Sequence, residues 1–356
     1  MNTYMEMIRR ELNRAREIPI TYVNHAGSTI ALFRADLYDA GVKHAIGRCL
    51  VAHAIDTRQI NETTTGVIVH GAGNTVLAVK AGIDELGLDI EVIAVTYRET
   101  SGHIIERLKQ QDIKVVNESP RIDGRGGRLD TVEQLCKTNL GYVPLEQHET
   151  EIIVDTQRKT FGARIAQEVT PTHFVAGVGT GGTLFGIGQA LCDVNPRTKI
   201  IAIEGVGSTL TLWHAYLGAQ NQDFDGQKRV IEKALEKYHV AGMLTNLECF
   251  PNNTPEEWFD IDLDFPDDIK GTVGIEGLGV GDPTQLIMNH VSMIDTCKII
   301  TDKQTHEGVD MLARHGINGF ESAGANFYAA IQLAEKLRQQ DRSGFITTIV
   351  TAKGKS

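Results

Sequence analysis

No apolar run in this 356-residue chain approaches the ~18 residues that a membrane-crossing helix needs, so no such helix is expected. Its first residues, MNTYMEMIRRELNRAREIP, form a charged amphipathic stretch without the apolar centre of a signal peptide. Cysteine is sparse: Cys49, Cys136, Cys192, Cys249 and Cys297 are scattered, odd in number and form no C-x-x-C pair. That usage fits a reducing cytoplasm and offers no zinc-binding spacing; five packing residues would look the same. Basic charge is also short. Against 46 Asp and Glu stand only 35 Lys and Arg, a net charge of -11, which argues against nucleic acid or an anionic membrane as partner. Internal repeats and low-complexity linkers are missing. So is the G-x-x-x-x-G-K-[ST] spacing of a nucleotide-triphosphate loop.

What the chain does have is 41% hydrophobic residues and a regular alternation of strand and helix patterns. Residues 1–17 read as a helix, and two short strands flank Asn24 to Ser28. Lys43 heads a helix with Ile46, Leu50, Val51 and Ile55 on its apolar face. Val67 to Val69 form a strand, Gly71 to Thr75 a turn, and Val76 to Leu86 a helix. IEVIAVTY and IKVVNES are strands, and HIIERLKQQD and RLDTVEQLCKTNL are helices. A long helix is expected from Thr156. KIIAIEG, TCKII and GFITTIV supply later strands. This rhythm predicts an α/β protein with doubly wound, mostly parallel sheets, whose ligands gather at the carboxyl ends of strands. Residues 209–270 break the rhythm and read as an insertion, lid or oligomer contact.

The most informative stretch is Ala176-Gly177-Val178-Gly179-Thr180-Gly181-Gly182-Thr183, between a buried strand and a helix. Its glycines can turn several N–H groups toward one point, to which the helix adds its positive end. An anion belongs there. Gly177, Gly179 and Gly182 also satisfy G-x-G-x-x-G, and Glu204 ends the next strand where a ribose-binding acid would sit, so a nicotinamide-dependent dehydrogenase is one reading. GTGGT is richer in hydroxyls than a dinucleotide turn requires and suits a phosphate monoester. A phosphate cup together with Lys43 suggests pyridoxal 5'-phosphate, which needs an amine, a phosphate cup, a donor at the ring hydroxyl and a partner at the ring nitrogen. Lys43, Gly179 to Thr183, Asn74 and Ser322 answer those four needs. Taken singly, Lys43 is equally a snorkelling surface lysine, and Asn74 and Ser322 are equally helix caps.

In order along the chain, Gly41-Val42-Lys43, Gly73-Asn74-Thr75, Gly179-Thr180-Gly181-Gly182-Thr183, Ile275-Glu276-Gly277-Leu278-Gly279 and Glu321-Ser322-Ala323-Gly324-Ala325 resemble the motifs of the cysteine synthase/cystathionine β-synthase family, of the tryptophan synthase β fold type. Gln147 resembles that family's substrate-side glutamine. The resemblance implies two α/β domains with the cofactor in the cleft between them: a smaller, mobile one over 44–149, and a larger one combining 1–43 with 150–356. It implies Lys43 as Schiff-base lysine and general base. Asn74, Gly179, Thr180, Gly181, Gly182, Thr183 and Ser322 would hold the cofactor, with Gly71, Ala72, Gly73, Thr75 and Gln147 around the substrate carboxylate. A neutral Ser322 at the ring nitrogen implies β-elimination or β-replacement on a small amino acid, through an aminoacrylate and with a small nucleophile, in a cytoplasmic homodimer. With one helix and one strand after Ser322, no regulatory domain is expected.

The chain also departs from that family. The hydroxyls of its T-S-G-N-T loop are replaced by Gly71 and Ala72, closer to the G-A-G-Q of tryptophan synthase β, whose preceding acid is here Val69. His70 stands beside the loop, facing substrate or serving as a structural histidine. The Asp-Arg after the lysine becomes His44-Ala45, and Gly41 stands where a serine would. Acetylserine with sulfide is therefore a weaker assignment than for the family at large. A dehydratase- or racemase-like activity and a non-catalytic cofactor-binding role are the remaining alternatives.

Overall fold

The computed structural model describes residues 2–71, 73–97, 100, 102–119, 126–240, 278–279 and 283–353. Ala72, Ile275 to Gly277 and residues 241–270 of the expected insertion lie outside the described residues.

Among the described residues, ten strands form two sheets. β1 (Ile20–His25), β2 (Ser28–Phe33), β7 (His173–Gly177), β8 (Lys199–Gly205), β9 (Thr296–Ile300) and β10 (Phe345–Ile349) make a six-stranded sheet in the order β1-β2-β10-β7-β8-β9. Only the β1–β2 pair is antiparallel. β3 (Gly66–His70), β4 (Glu91–Tyr97), β5 (Lys114–Ser119) and β6 (Tyr142–Pro144) make a second sheet, β5-β4-β3-β6, parallel throughout. The three-residue β6 has no pattern long enough to read from sequence.

Alternation along the strands builds a core on each face of the larger sheet. Ala31, Phe33, Phe174, Ala176, Ile200 and Ala202 point to one face, where they meet the helices Ile152–Gln157 and Gly182–Val194. Ile30, Leu32, Val175, Ile201 and Ile203 point to the other, against the helix Glu321–Gln339. The smaller sheet does the same, with Val67, Val69, Val92 and Ala94 on one face and Ile68, Ile93 and Val95 on the other. Near-continuous apolar strands with helices on both faces are what a buried parallel sheet requires.

The expected helix from Thr156 begins earlier, at Ile152, and includes a π-helical turn at Arg158–Gly162 before continuing over Ala163–Glu168. The described part of the 209–270 segment is two helices, Leu210–Ala219 and Phe224–Val240. They pack through Leu212, Ile231, Leu235 and Tyr238 beside Val206 and Ile299.

Candidate active site

Lys43 closes a single 3-10 turn, Gly41–Lys43, and the helix His44–Asp56 starts behind it. The turn is pinned to the end of β10: the Val42 N–H donates to the Thr351 carbonyl at 2.7 Å. From the other side Gln157 Nε2 donates to the Val42 carbonyl at 2.8 Å. Lys43 is half-buried, and burial lowers its pKa from the ordinary lysine value to about 8. Lys43 Nζ donates to Thr180 Oγ1 at 3.2 Å. The lysine and the glycine loop, 137 residues apart in sequence, thus meet directly.

The loop itself follows β7. Gly181 has φ +90, a left-handed conformation that costs little only for glycine, and it turns the chain into the helix Gly182–Val194. The first N–H groups of that helix have no intrahelical acceptor. Asn326 steadies the strand end, accepting from the Gly177 N–H at 2.7 Å while its Nδ2 donates to Ile349 O at 3.0 Å. Leu278 lies against Gly177, and the Gly279 N–H donates to the Val178 carbonyl at 2.8 Å, so the described end of the 275–279 motif docks on the loop.

The helix that begins at Asn74 packs on the helix behind the lysine. A Cβ at Gly47 would collide with Ala78, and one at Gly82 would lie 2.9 Å from Arg48 Cα. The helices His44–Asp56 and Asn74–Glu85 therefore run parallel at close approach, with their starts side by side. Asn74 is not a cap: Gly73, at φ +113, occupies that position, and no side-chain cap bond forms. Nor is Ser322, which lies inside its helix behind Phe320. Its buried hydroxyl shares a 2.7 Å hydrogen bond with Thr351 Oγ1. Thr351 thus joins Ser322 to the lysine turn. Sequence reading missed Thr351, Asn326 and Gln157, because no local pattern marks a residue whose partner is far away in the chain.

Gln147 is buried, and both ends of its amide are engaged. Nε2 donates to the His70 carbonyl at 2.9 Å and Oε1 accepts from Thr75 Oγ1 at 2.6 Å. It therefore braces the Gly71–Thr75 segment. His70 and Glu146 are also paired, Nε2 to Oε2 at 2.7 Å. His44, which stands where the resembled family has an aspartate, is buried and stacked on Tyr38 with ring centroids 4.2 Å apart. Burial, reinforced by Arg48 and Arg14, holds it neutral with a pKa lowered to about 3.

The structure removes the nicotinamide reading's acid. Glu204 is fully buried and accepts from the Thr211 N–H at 3.1 Å and from Tyr238 Oη at 3.3 Å. It anchors the helices that follow and is not free to hold a ribose. The free cysteines Cys49 and Cys297 are buried, and burial raises their thiol pKa, so neither is a reactive thiolate. Among the described residues no helix is long and apolar enough to cross a membrane.

The residues fit a phosphorylated aldehyde. Among the described residues no carboxylate pairs with Lys43, and desolvation alone lowers its pKa. A dehydrated amine beside a helix N-terminus has no anion of its own, so an anionic ligand would supply the missing charge.

Two mostly parallel sheets flanked by helices, with a lysine of lowered pKa against a glycine-threonine loop, fit a class of cofactor-dependent enzymes that work through a lysine amine. Residues 38–225, more than half of the chain, match the pyridoxal-phosphate dependent enzyme family, and the chain belongs to that family. It is 30% identical over 172 residues to the cysteine synthase of Helicobacter pylori strain J99, a match covering 48% of this chain and 55% of that protein. To the O-acetylserine dependent cystathionine beta-synthase of Bacillus subtilis it is 29% identical over 177 residues, 48% of this chain and 54% of that one. The matched region thus spans about half the length of these curated relatives. Among solved structures, the O-acetylserine dependent cystathionine beta-synthase from Helicobacter pylori superposes with a TM-score of 0.70 at 21% identity, covering 97% of this chain and 94% of that one. A hydrogen sulfide-producing enzyme from Fusobacterium nucleatum gives 0.69 at 17% identity, covering 100% and 97%. These likenesses extend the shared fold over the whole chain.

Proposed function

We propose that this protein is a pyridoxal-phosphate-dependent enzyme of β-replacement or β-elimination on a small amino acid. The observation that carries the reading is the contact of Lys43 with Thr180, which joins an amine of lowered pKa to an anion cup. When bound, pyridoxal phosphate supplies an aldehyde for a lysine amine and an electron sink for a substrate α-carbanion.

The chain's own residues would do the rest. Gly179 to Thr183 offer N–H groups and two hydroxyls to the phosphate. Asn74 would meet the ring hydroxyl, and Ser322, backed by Thr351, would offer the ring nitrogen a neutral hydroxyl. Gly71, Ala72, Gly73 and Thr75 would take the substrate carboxylate, with Gln147 holding their frame. Lys43, neutral in part near pH 8, would take the proton from the substrate α-carbon. We further propose that 44–149 is the smaller domain and closes on the larger one, 1–43 with 150–356, to exclude water. The active form would be a homodimer, taking a small nucleophile as second substrate.

Support for replacement chemistry comes from the relatives, which are named for cysteine synthesis and cystathionine synthesis. The test is direct. Protein supplied with pyridoxal phosphate should develop a visible absorbance band that borohydride abolishes and that Lys43→Ala lacks. A panel of O-substituted serines, cysteine and 2,3-diaminopropionate, each with and without thiol or amine acceptors, should perturb that band and yield a substituted amino acid. Failure of the wild-type protein to develop the band would overturn the reading. Release of an oxo acid at a rate indifferent to any acceptor would move it to a dehydratase.

A further inference from the structure

At the carboxyl edge of the smaller sheet, three consecutive residues converge on one. Glu146 Oε2 accepts from His70 Nε2 at 2.7 Å, Gln147 Nε2 donates to the His70 carbonyl at 2.9 Å, and the His148 ring stacks on the His70 ring, centroids 4.8 Å apart and 16° from parallel. The other carboxylate oxygen of Glu146 accepts from the His148 N–H. His70 is the last residue of β3, immediately before Gly71. The far end of the Gln147 amide takes the hydroxyl of Thr75, in the first turn of the following helix. Both shoulders of the substrate-carboxylate segment are thus tied to one short stretch after β6.

Two imidazoles and a carboxylate, with donor atoms within 4.8 Å of one another, also suggest a metal ion. The stacking argues against it. Imidazole lone pairs lie in the ring plane, and two rings 16° from parallel and stacked face to face cannot both direct a lone pair at one ion without turning. A carboxylate only accepts, so Nε2 of His70 carries the hydrogen, and the pair already forms a complete charge-assisted bond.

We propose that Glu146 and His148 are positioning residues which, by gripping His70, hold Gln147 across the shoulders of the Gly71–Thr75 segment and so preset its N–H groups for the donor's carboxylate. The proposal rests on the assignment of that segment to the substrate carboxylate. It assigns Gln147 the part of a brace, and it gives His70 a place in the site without contact to the substrate. It also accounts for the loss of the loop hydroxyls at Gly71 and Ala72, since a segment that binds through backbone N–H groups alone depends on an externally held shape.

Hydrogen exchange of the cofactor-loaded protein, read by mass spectrometry, tests the brace without any turnover. Glu146→Ala should speed exchange of the peptide containing Gly71, Gly73, Asn74 and Thr75 by about tenfold and leave the peptide containing Gly179 to Thr183 unchanged. Glu146→Gln, whose amide oxygen can still accept from His70, should restore most of the protection, and His148→Phe, which keeps a stacked ring, should do better than His148→Ala. In steady-state kinetics Glu146→Ala should raise KM for the donor amino acid about tenfold with kcat changed far less. Unchanged exchange in Glu146→Ala would overturn the proposal, as would an equal rise at the phosphate loop or a loss confined to kcat. If the wild-type protein takes up no cofactor, the functional assignment fails, while the exchange comparison on the cofactor-free protein still decides the brace.

Discussion

Lys43 shows how far a single residue's chemistry depends on its surroundings. An ordinary lysine amine titrates near 10.5, and burial brings that of Lys43 to about 8. The sign follows from the charge: burial penalises the ammonium form, so the neutral amine appears at lower pH than in water. Trapping of an aldehyde on Lys43 by reduction should therefore rise with pH through an apparent pKa near 8, read by mass spectrometry of the labelled peptide. A profile centred above 10 would contradict the burial. Thr180→Val keeps the shape but removes the hydroxyl that Lys43 touches. It should weaken cofactor affinity by about tenfold, measured by titrating the visible band, without a large loss of stability. Lys43, Asn74, the 179–183 loop and Ser322 stood out in the sequence as candidates because each lies at or near the start of a helix within a short motif. Thr351, Gln157 and Asn326 did not, because their partners Val42, Ser322 and Gly177 lie far from them in the chain.

At the scale of elements, close helix packing and one buried carboxylate make the strongest predictions. The helices His44–Asp56 and Asn74–Glu85 approach at Gly47 against Ala78, where there is no room for a Cβ. Gly47→Ala should cost about 1–3 kcal/mol in denaturant unfolding and, by pushing the two helix starts apart, weaken cofactor binding as well. A neighbouring ion cluster shares this seam: Glu85 meets Arg14 at 2.9 Å and Arg48 at 3.4 Å, linking the helix Thr3–Arg16 to both. Glu204 holds the helices Leu210–Ala219 and Phe224–Val240. Burial, only partly offset by Thr211, Ser208 and Tyr238, raises its pKa from 4.5 to about 7. A raised carboxyl pKa means the folded state holds the proton more tightly. Its contribution to stability is complete below about pH 4.5 and is lost as pH rises through about 7. Glu204→Gln should therefore raise the melting temperature at pH 8 relative to wild type and change it little at pH 4. Equal effects at both pH values would show that the carboxyl is not protonated in the fold.

For the whole molecule, the two sheets explain why the site needs distant segments. The lysine turn follows β2, the loop Gly179 to Thr183 follows β7 and Thr351 follows β10, all at the carboxyl edge of the larger sheet, while Gly71 to Thr75 follow β3 of the smaller one. A site shared in this way can be completed by moving one sheet toward the other. If the smaller domain closes, small-angle scattering should report a smaller radius of gyration when a donor amino acid is added to cofactor-loaded protein, and no change in Lys43→Ala. Sedimentation equilibrium should find a species of twice the chain mass; a monomer that retains full activity would remove the homodimer from the proposal.

The sequence by itself determined the alternation of strand and helix and singled out Lys43 and the glycine-rich loop as candidates, since these rest on local patterns of apolarity and glycine. Only the tertiary structure decided that Glu204 is an anchor and not a ribose acid, that Gln147 is braced at both ends, and that His70 is gripped by Glu146 and His148. Each of those depends on burial and on partners brought together across dozens of residues, and the free energy of a polar side chain is set by those partners more than by its own identity.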